Sequence, residues 1–125
     1  MEGSGNRRLA TNDAPADRIP TVTSETFVPS VLNADGRVVV EFMSYACAHC
    51  GEIEPVLQQV AGIVQSGERI VRVNVGIERE LAEQYQISAT PTLVMFLNGR
   101  EVGRVEGPSP TVSSVLSAIT MPFES

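Results

Sequence analysis

Two cysteines and one histidine are all the Cys and His residues, the usual zinc ligands, that the 125 residues contain. Cys47, His49 and Cys50 offer three ligands where a closed structural zinc site takes four, so no metal is expected. Two cysteines are also too few for a disulfide-stapled scaffold. They stand three residues apart, and a bridge closing so small a loop constrains little chain entropy. Basic residues are scarce as well. Nine Lys and Arg against fifteen Asp and Glu leave a formal net charge of −6. Nucleic acid asks for a basic face and anionic membrane surfaces for basic clusters, so neither is an expected partner. No apolar run approaches the roughly 20 residues needed to span a bilayer. The N-terminal stretch MEGSGNRRLATNDAPADR has no apolar h-region and is not an intact signal peptide.

What is present fits one soluble globular domain: 42% hydrophobic and 19% charged residues, in a chain long enough to bury a core. Residues 1–18, rich in Gly, Asn, Asp, Ala and Pro, read as a disordered leader, and MEGSG has the composition of an expression remnant. The expected location is cytoplasmic, or periplasmic if a native signal peptide has been removed. Residues 19–23 (IPTVT) suggest a short first strand. Phe27, Val28, Val31 and Leu32 have helical spacing, shortened or distorted by Pro29. Asp35-Gly36 is a turn signal.

The run VVVEF (38–42) suits a strand covered on both faces, although it contains a carboxylate. Ile53, Val56, Leu57, Val60, Ile63 and Val64 then mark one face of a helix, with a kink expected at Pro55. RIVRVNV (69–75) alternates as a strand, and ERELAEQY (78–85) is rich in helix formers. TLVMFL, Asn98-Gly99 and REVGRVE form a β-hairpin pattern that Gly107 ends. Ser109 is the expected cap, and Pro110 the first residue, of a last helix carrying Val112, Val115, Leu116 and Ile119. The order β-α-β-α-β-α-β-β-α predicts an α/β fold, with a central mixed sheet of four to five strands flanked by helices on both faces.

A Cys-x-x-Cys alone is a weak signal, open to readings as a metal clip, an inert disulfide or a redox centre. Near a βαβ pattern it becomes a redox candidate. Here VVVEF precedes the pair and Pro55 stands five residues after Cys50. RVNV leads through a short helix to ISATPTLVMFLNG, and Gly107 follows the hairpin. With these features the chain resembles the thioredoxin family over about residues 19–120, and VNVGIERELAEQYQISATPT is especially similar to bacterial thioredoxins. The resemblance implies a thioredoxin domain over residues 19–125. It implies a thiol–disulfide oxidoreductase acting on protein disulfides through a redox-active Cys47/Cys50 disulfide. No other cofactor is implied. Electrons come from or go to a protein partner such as a thioredoxin reductase or a membrane thiol reductase, and the chain is expected to be a monomer.

At a strand-to-helix junction, unpaired N–H groups and the helix dipole lower the pKa of Cys47 and activate it as nucleophile, with Cys50 as the resolving thiol. Most thioredoxins carry Gly-Pro between the cysteines, whereas this chain has Ala48-His49. The family's more oxidising members carry His at that second position. An imidazole near the Cys47 sulfur stabilises the thiolate, hence the reduced form, and raises the potential above the family's reductants. The other reading of His49 is a solvated helix residue.

Glu41 aligns with the family's buried acid. Burial raises its pKa and makes it a proton relay to Cys50, unless its side chain reaches solvent. Pro91 matches the family's cis-proline, and Thr90 supplies backbone for an extended substrate; an ordinary trans turn is the alternative. Arg72 either pairs with Glu41 or is a solvated strand charge. The chain has no tryptophan, which thioredoxins usually place just before the first cysteine, where Ala46 stands here. The expected substrate surface is Ala46, Ala48, Ala89, Thr90, Pro91 and Gly107, small and partly polar. Two further functions stay open: a periplasmic disulfide oxidant or isomerase, and a non-catalytic thioredoxin-fold binding module.

Overall fold

The computed structural model describes residues 17–64 and 67–124. Residues 1–16 of the expected leader lie outside the described residues. Its last two, Asp17 and Arg18, are tied to Gln58: the Gln58 amide donates to Asp17 at 2.7 Å, and the Arg18 N–H donates to Gln58 at 2.9 Å.

Four strands form one mixed sheet. They are β1 (Arg37–Met43), β2 (Glu68–Asn74), β3 (Thr92–Leu97) and β4 (Arg100–Glu106), in the order β2-β1-β3-β4. β1 pairs parallel with β2 and antiparallel with β3, and β3 pairs antiparallel with β4. The apolar run of β1, broken only by Glu41, has its cause here: the strand is central, and Val38 to Met43 are all buried. The expected fifth strand at 19–23 reduces to a single parallel bridge between Thr21 and Arg72. Arg72 N–H reaches the Pro20 carbonyl at 2.9 Å and Val22 N–H reaches the Arg72 carbonyl at 2.8 Å, but Pro20 has no N–H with which to extend the ladder.

Helices cover both faces. α1 (Ala48–Val64) and α3 (Val112–Glu124) pack on one face, where Ile53, Leu57, Val60, Val115 and Ile119 meet Val39, Leu93 and Met95. On the opposite face α2 (Arg79–Gln84) and a π-helical segment, Val28–Leu32, cover Val38, Val40, Phe42, Val94 and Phe96. Pro29 lies in the first turn of that segment, which closes with an i+5 bond from Asn33 N–H to Val28 O. α1 continues on both sides of Pro55, whose missing N–H leaves the Gly51 carbonyl without its usual partner. The cap of α3 differs from the expectation. The helix begins at Val112, and the Thr111 hydroxyl, not Ser109, accepts the Ser114 N–H at 3.2 Å. Thr111 N–H instead donates to the Ser109 carbonyl, which winds the chain a further two residues before the helix starts.

The hairpin tip is also anchored. Asn98 and Gly99 both have positive φ, and Asn98 exchanges hydrogen bonds with Gly36 in both directions. A Cβ at Gly99 would collide with the Leu32 carbonyl, so the Asp35-Gly36 turn and the hairpin close on each other.

Four of the six aromatic residues stack on the α2 face. Phe27 and Tyr85 have centroids 5.4 Å apart, Tyr85 and Phe96 5.7 Å, and Phe27–Phe96 and Phe42–Tyr85 each 6.0 Å. Phe27 joins the π-helical segment to this cluster and is 2% exposed. Phe27→Ala is therefore expected to destabilise the fold by about 3–5 kcal/mol, read as a lower urea midpoint at unchanged slope. An unaltered midpoint would show that this face does not support the sheet.

Candidate functional site

β1 ends at Met43, and Ser44 turns the chain. The Ser44 hydroxyl accepts the Ala46 N–H and its carbonyl the Cys47 N–H, each at 3.2 Å. Cys47 is thus the residue just before α1, the N-cap position. Its sulfur occupies the place usually taken by a capping oxygen and accepts the Cys50 N–H at 3.2 Å. Both thiols are free. The Cys47 thiol is held below its ordinary value, first by a hydrogen bond from Cys50, then by Thr90 and the backbone N–H groups of Cys50 and His49. The protonated form has an acceptor of its own, the Thr90 carbonyl at 3.4 Å. Cys50 is 2% exposed, and burial, with the hydrogen bond to Cys47, pushes it up to about 11. One sulfur is poised to ionise and the other to keep its proton.

The His49 ring reaches across to the loop after β4. Its Nε2 lies 3.0 Å from the Pro108 carbonyl, and a carbonyl only accepts, so Nε2 carries the hydrogen. Its backbone N–H also acts on the Cys47 sulfur and helps to hold the thiol down. Gly107 leaves room for the ring: a Cβ there would stand 3.4 Å from His49 Cε1, and the glycine has φ +54°.

The Thr90–Pro91 peptide is cis. Gly107 N–H bonds the Pro91 carbonyl at 2.8 Å, and the Thr92 hydroxyl bonds the Ala89 carbonyl at 2.6 Å, fixing the loop beside Cys47. Ala46, Ala48, Ala89 and Gly107 are exposed, Thr90 is half-buried and Pro91 is buried. Tyr45, beside Ala46, is 73% exposed and was not marked by the sequence pattern.

Glu41 is fully buried and does not reach solvent. Parallel register sets it against Arg72 of β2, with Leu93 on its other side. Neither carboxylate oxygen has a hydrogen-bond partner, and Arg72 Nε is 3.9 Å away. Burial first, and then the charge of Glu54, push Glu41 up to about 7 against the pull of Arg72. Arg72 is no solvated strand charge: it is 5% exposed. Its shorter ion pairs are with Glu54 (2.6 Å) and Asp17 (3.3 Å). Gln58 braces both acids, at 2.9 Å from Glu54 and 2.7 Å from Asp17. A cavity of about 210 Å³ lined by Ser44, Tyr45, Cys50, Gly51, Glu54 and Arg72 adjoins the buried thiol. Glu54 and Asp17 are the site residues that periodicity misses. The one local signal for Glu54 is the i,i+4 spacing with Gln58. Among the described residues no three His, Cys, Asp or Glu side chains converge to hold a metal ion.

The model of the family described as Thioredoxin matches residues 18–119. Among curated proteins, the chain is 36% identical to "Probable protein disulfide-isomerase A6" of Medicago sativa, over 85% of this chain and 29% of that protein. It is 35% identical to "Thioredoxin 1" of a Nostoc species, over 76% of this chain and 91% of the relative. It is 29% identical to "Bifunctional thioredoxin reductase/thioredoxin" of Mycobacterium leprae, over 69% of this chain and 19% of that protein. The chain thus spans less than a third of the isomerase and nearly all of the thioredoxin. A cysteine-capped helix, a buried acid behind it and a cis-proline before it are assembled on a four-stranded mixed sheet, and with the family match this establishes that the chain belongs to the thioredoxin family of thiol–disulfide oxidoreductases.

Proposed function

We propose that the chain exchanges electrons with protein disulfides through Cys47 and Cys50, at a potential above that of ordinary thioredoxins. The observation that carries this reading is the unlike state of the two sulfurs. Cys47 accepts a helix N-terminal N–H beside the Thr90–Pro91 edge, and Cys50 is buried and strongly protonated. In the reducing direction the Cys47 thiolate attacks one sulfur of a substrate disulfide, and the other sulfur leaves as a thiolate and takes a proton. Cys50 then gives its proton to the Glu41 carboxylate and attacks Cys47 Sγ. The second substrate sulfur departs as a thiolate and is protonated, and the chain is left with a Cys47–Cys50 disulfide. Two electrons have passed to the substrate. The reverse sequence oxidises a dithiol, with Glu41 returning its proton to Cys50.

An extended substrate segment lies along Thr90, Pro91 and Gly107, with Ala46 and Ala89 flanking the sulfur. The small surface around Cys47 favours clients without a large aromatic contact. The electron partner is a protein, of the reductase class joined to thioredoxin in the Mycobacterium leprae relative or a membrane thiol reductase. The disulfide pair is the only redox group the scheme requires. A cytoplasmic reductant is the primary reading. Ala48-His49 supports a second one, a disulfide oxidant or isomerase in the periplasm, and the isomerase relative supports its activity though not its compartment. Fractionation of the native cell separates the two compartments.

Equilibration with glutathione is expected to give a potential between the roughly −270 mV of thioredoxin and the roughly −180 mV of the isomerase. His49→Ala should lower it, and a wild-type value at or below thioredoxin's contradicts the assignment. In an insulin-reduction assay Cys47→Ser should fall to background, and Cys50→Ser should accumulate a mixed disulfide visible by mass spectrometry. Equal rates for wild type and Cys47→Ser would support a binding module instead.

Glu41 gives a pH signature. The base form gains population as pH rises through about 7, so Glu41→Gln should slow formation of the Cys47–Cys50 disulfide most above that pH. Between its ordinary value of 4.5 and about 7 the folded chain keeps a proton that the unfolded chain has released, so stability falls as pH rises through that window. Urea unfolding at pH 4 and pH 8 should show Glu41→Gln gaining on the order of 3 kcal/mol over wild type between the two.

A further inference from the structure

The exchange scheme gives no part to Glu54, one helical turn beyond Cys50. Its carboxylate nevertheless takes the closest ion pair of the buried guanidinium, Arg72 Nη2 to Glu54 Oε2 at 2.6 Å, while Asp17 takes Nη1 at 3.3 Å. Gln58 donates to the same Glu54 oxygen at 2.9 Å. With both Nη groups so engaged, only Nε is left toward Glu41. It stands 3.9 Å from Oε1, beyond hydrogen-bond reach, and Nε and both Glu41 oxygens have no hydrogen-bond partner. A guanidinium beside a wholly buried carboxylate would ordinarily close on it as a bidentate fork. Here the fork is divided between two more exposed carboxylates, Glu54 at 35% and Asp17 at 62%, which are less costly to keep charged. Glu54 and Arg72 also share with Cys50 the wall of the 210 Å³ cavity, which is roomy enough to hold water and offers it these two charged groups.

We propose that Glu54 is a positioning residue that holds the Arg72 guanidinium off Glu41, leaving the buried carboxyl free to take up and return the Cys50 proton. The part concerning Cys50 rests on the disulfide-exchange reading. The charged and titratable groups that act on Glu41 are Arg72 from β2, Glu54 from α1 and Cys47 at the start of α1; β3 presents the apolar Leu93. Asp17 and Tyr45 act on Arg72. Burial and the Glu54 charge raise Glu41, and Arg72 lowers it. Loss of the Glu54 charge removes one upward push and frees the fork to close, so both consequences have the same sign.

The test is the titration of Glu41 in the reduced protein, followed by side-chain carboxyl carbon NMR, in wild type, Glu54→Gln and Glu54→Asp. In Glu54→Gln the Glu41 midpoint should fall by about one pH unit or more. The pH profile of insulin reduction should move down with it. Glu54→Asp, which keeps the charge, should stay near wild type. Glu54→Ala, on the same partly exposed helix face, is a second route to the loss of charge. A Glu54 that merely braces α1 would lower the melting temperature and leave the midpoint unmoved, and an unmoved or rising midpoint overturns the proposal. The titration is read without substrate. A midpoint that falls in Glu54→Gln, together with a wild-type protein that fails to reduce insulin, supports the positioning role and overturns the exchange reading. An active protein with an unmoved midpoint overturns the role of Glu54 alone.

Discussion

One buried guanidinium ties three parts of the molecule together. The Arg72 backbone bridges to the segment carrying Pro20, Thr21 and Val22, and its side chain spans from the sheet to Glu54 on α1 and Asp17 ahead of the first bridge. A charge held this deep is tolerable only when it is paired, and removing one partner of a buried pair costs far more than the pair contributes. Three carboxylates therefore crowd one cation, and they do not share it equally. Glu41, the most buried, has the longest contact, so the site carries a carboxyl poised near neutrality behind the thiols. The placement follows from strand register, since the parallel pairing that seats Val40 against Val71 also seats Glu41 against Arg72.

The two sulfurs are three residues apart yet differ widely in acidity, and the difference is geometric. Cys47 stands outside α1 and collects its free N–H groups. Cys50 stands one turn inside, where the sheet and helix bury it. Exchange needs this asymmetry. A thiol that attacks must ionise readily, while the thiol that resolves must wait until the mixed disulfide has formed. The loops at Thr90–Pro91 and Gly107–Pro108 close on the same point from the other side. The hydrogen bond from Gly107 to Pro91 joins them, and the His49 ring ties the helix start to Pro108.

The central strand, the long helix and the hairpin were legible because each is stated by local periodicity or turn chemistry: VVVEF, the Ile53-to-Val64 face and Asn98-Gly99. The cysteine pair and the Thr90–Pro91 loop were legible through family resemblance. Less legible was anything that depends on a polar partner far along the chain. Period tells which face a side chain occupies, not which polar group waits there. Glu54 lies 18 positions from Arg72, Asp17 lies 55 from it, and the His49 ring finds its acceptor 59 positions on. Residues 19–23 alternate like a strand, but a proline cannot donate to a ladder, and Thr111 rather than Ser109 caps α3 because the chain makes one more turn first.

Hairpin tips in small domains are usually the sites where insertions, tags and new termini are accepted, because nothing rests on them. The Asn98-Gly99 tip is not such a site. It is pinned to Gly36 by two hydrogen bonds and pressed so closely on Leu32 that a single methyl group has no place there. The end of the sheet opposite the thiols is thereby sealed. Any lineage or engineer enlarging this domain is left with other ground, and length variation among its relatives should avoid this corner.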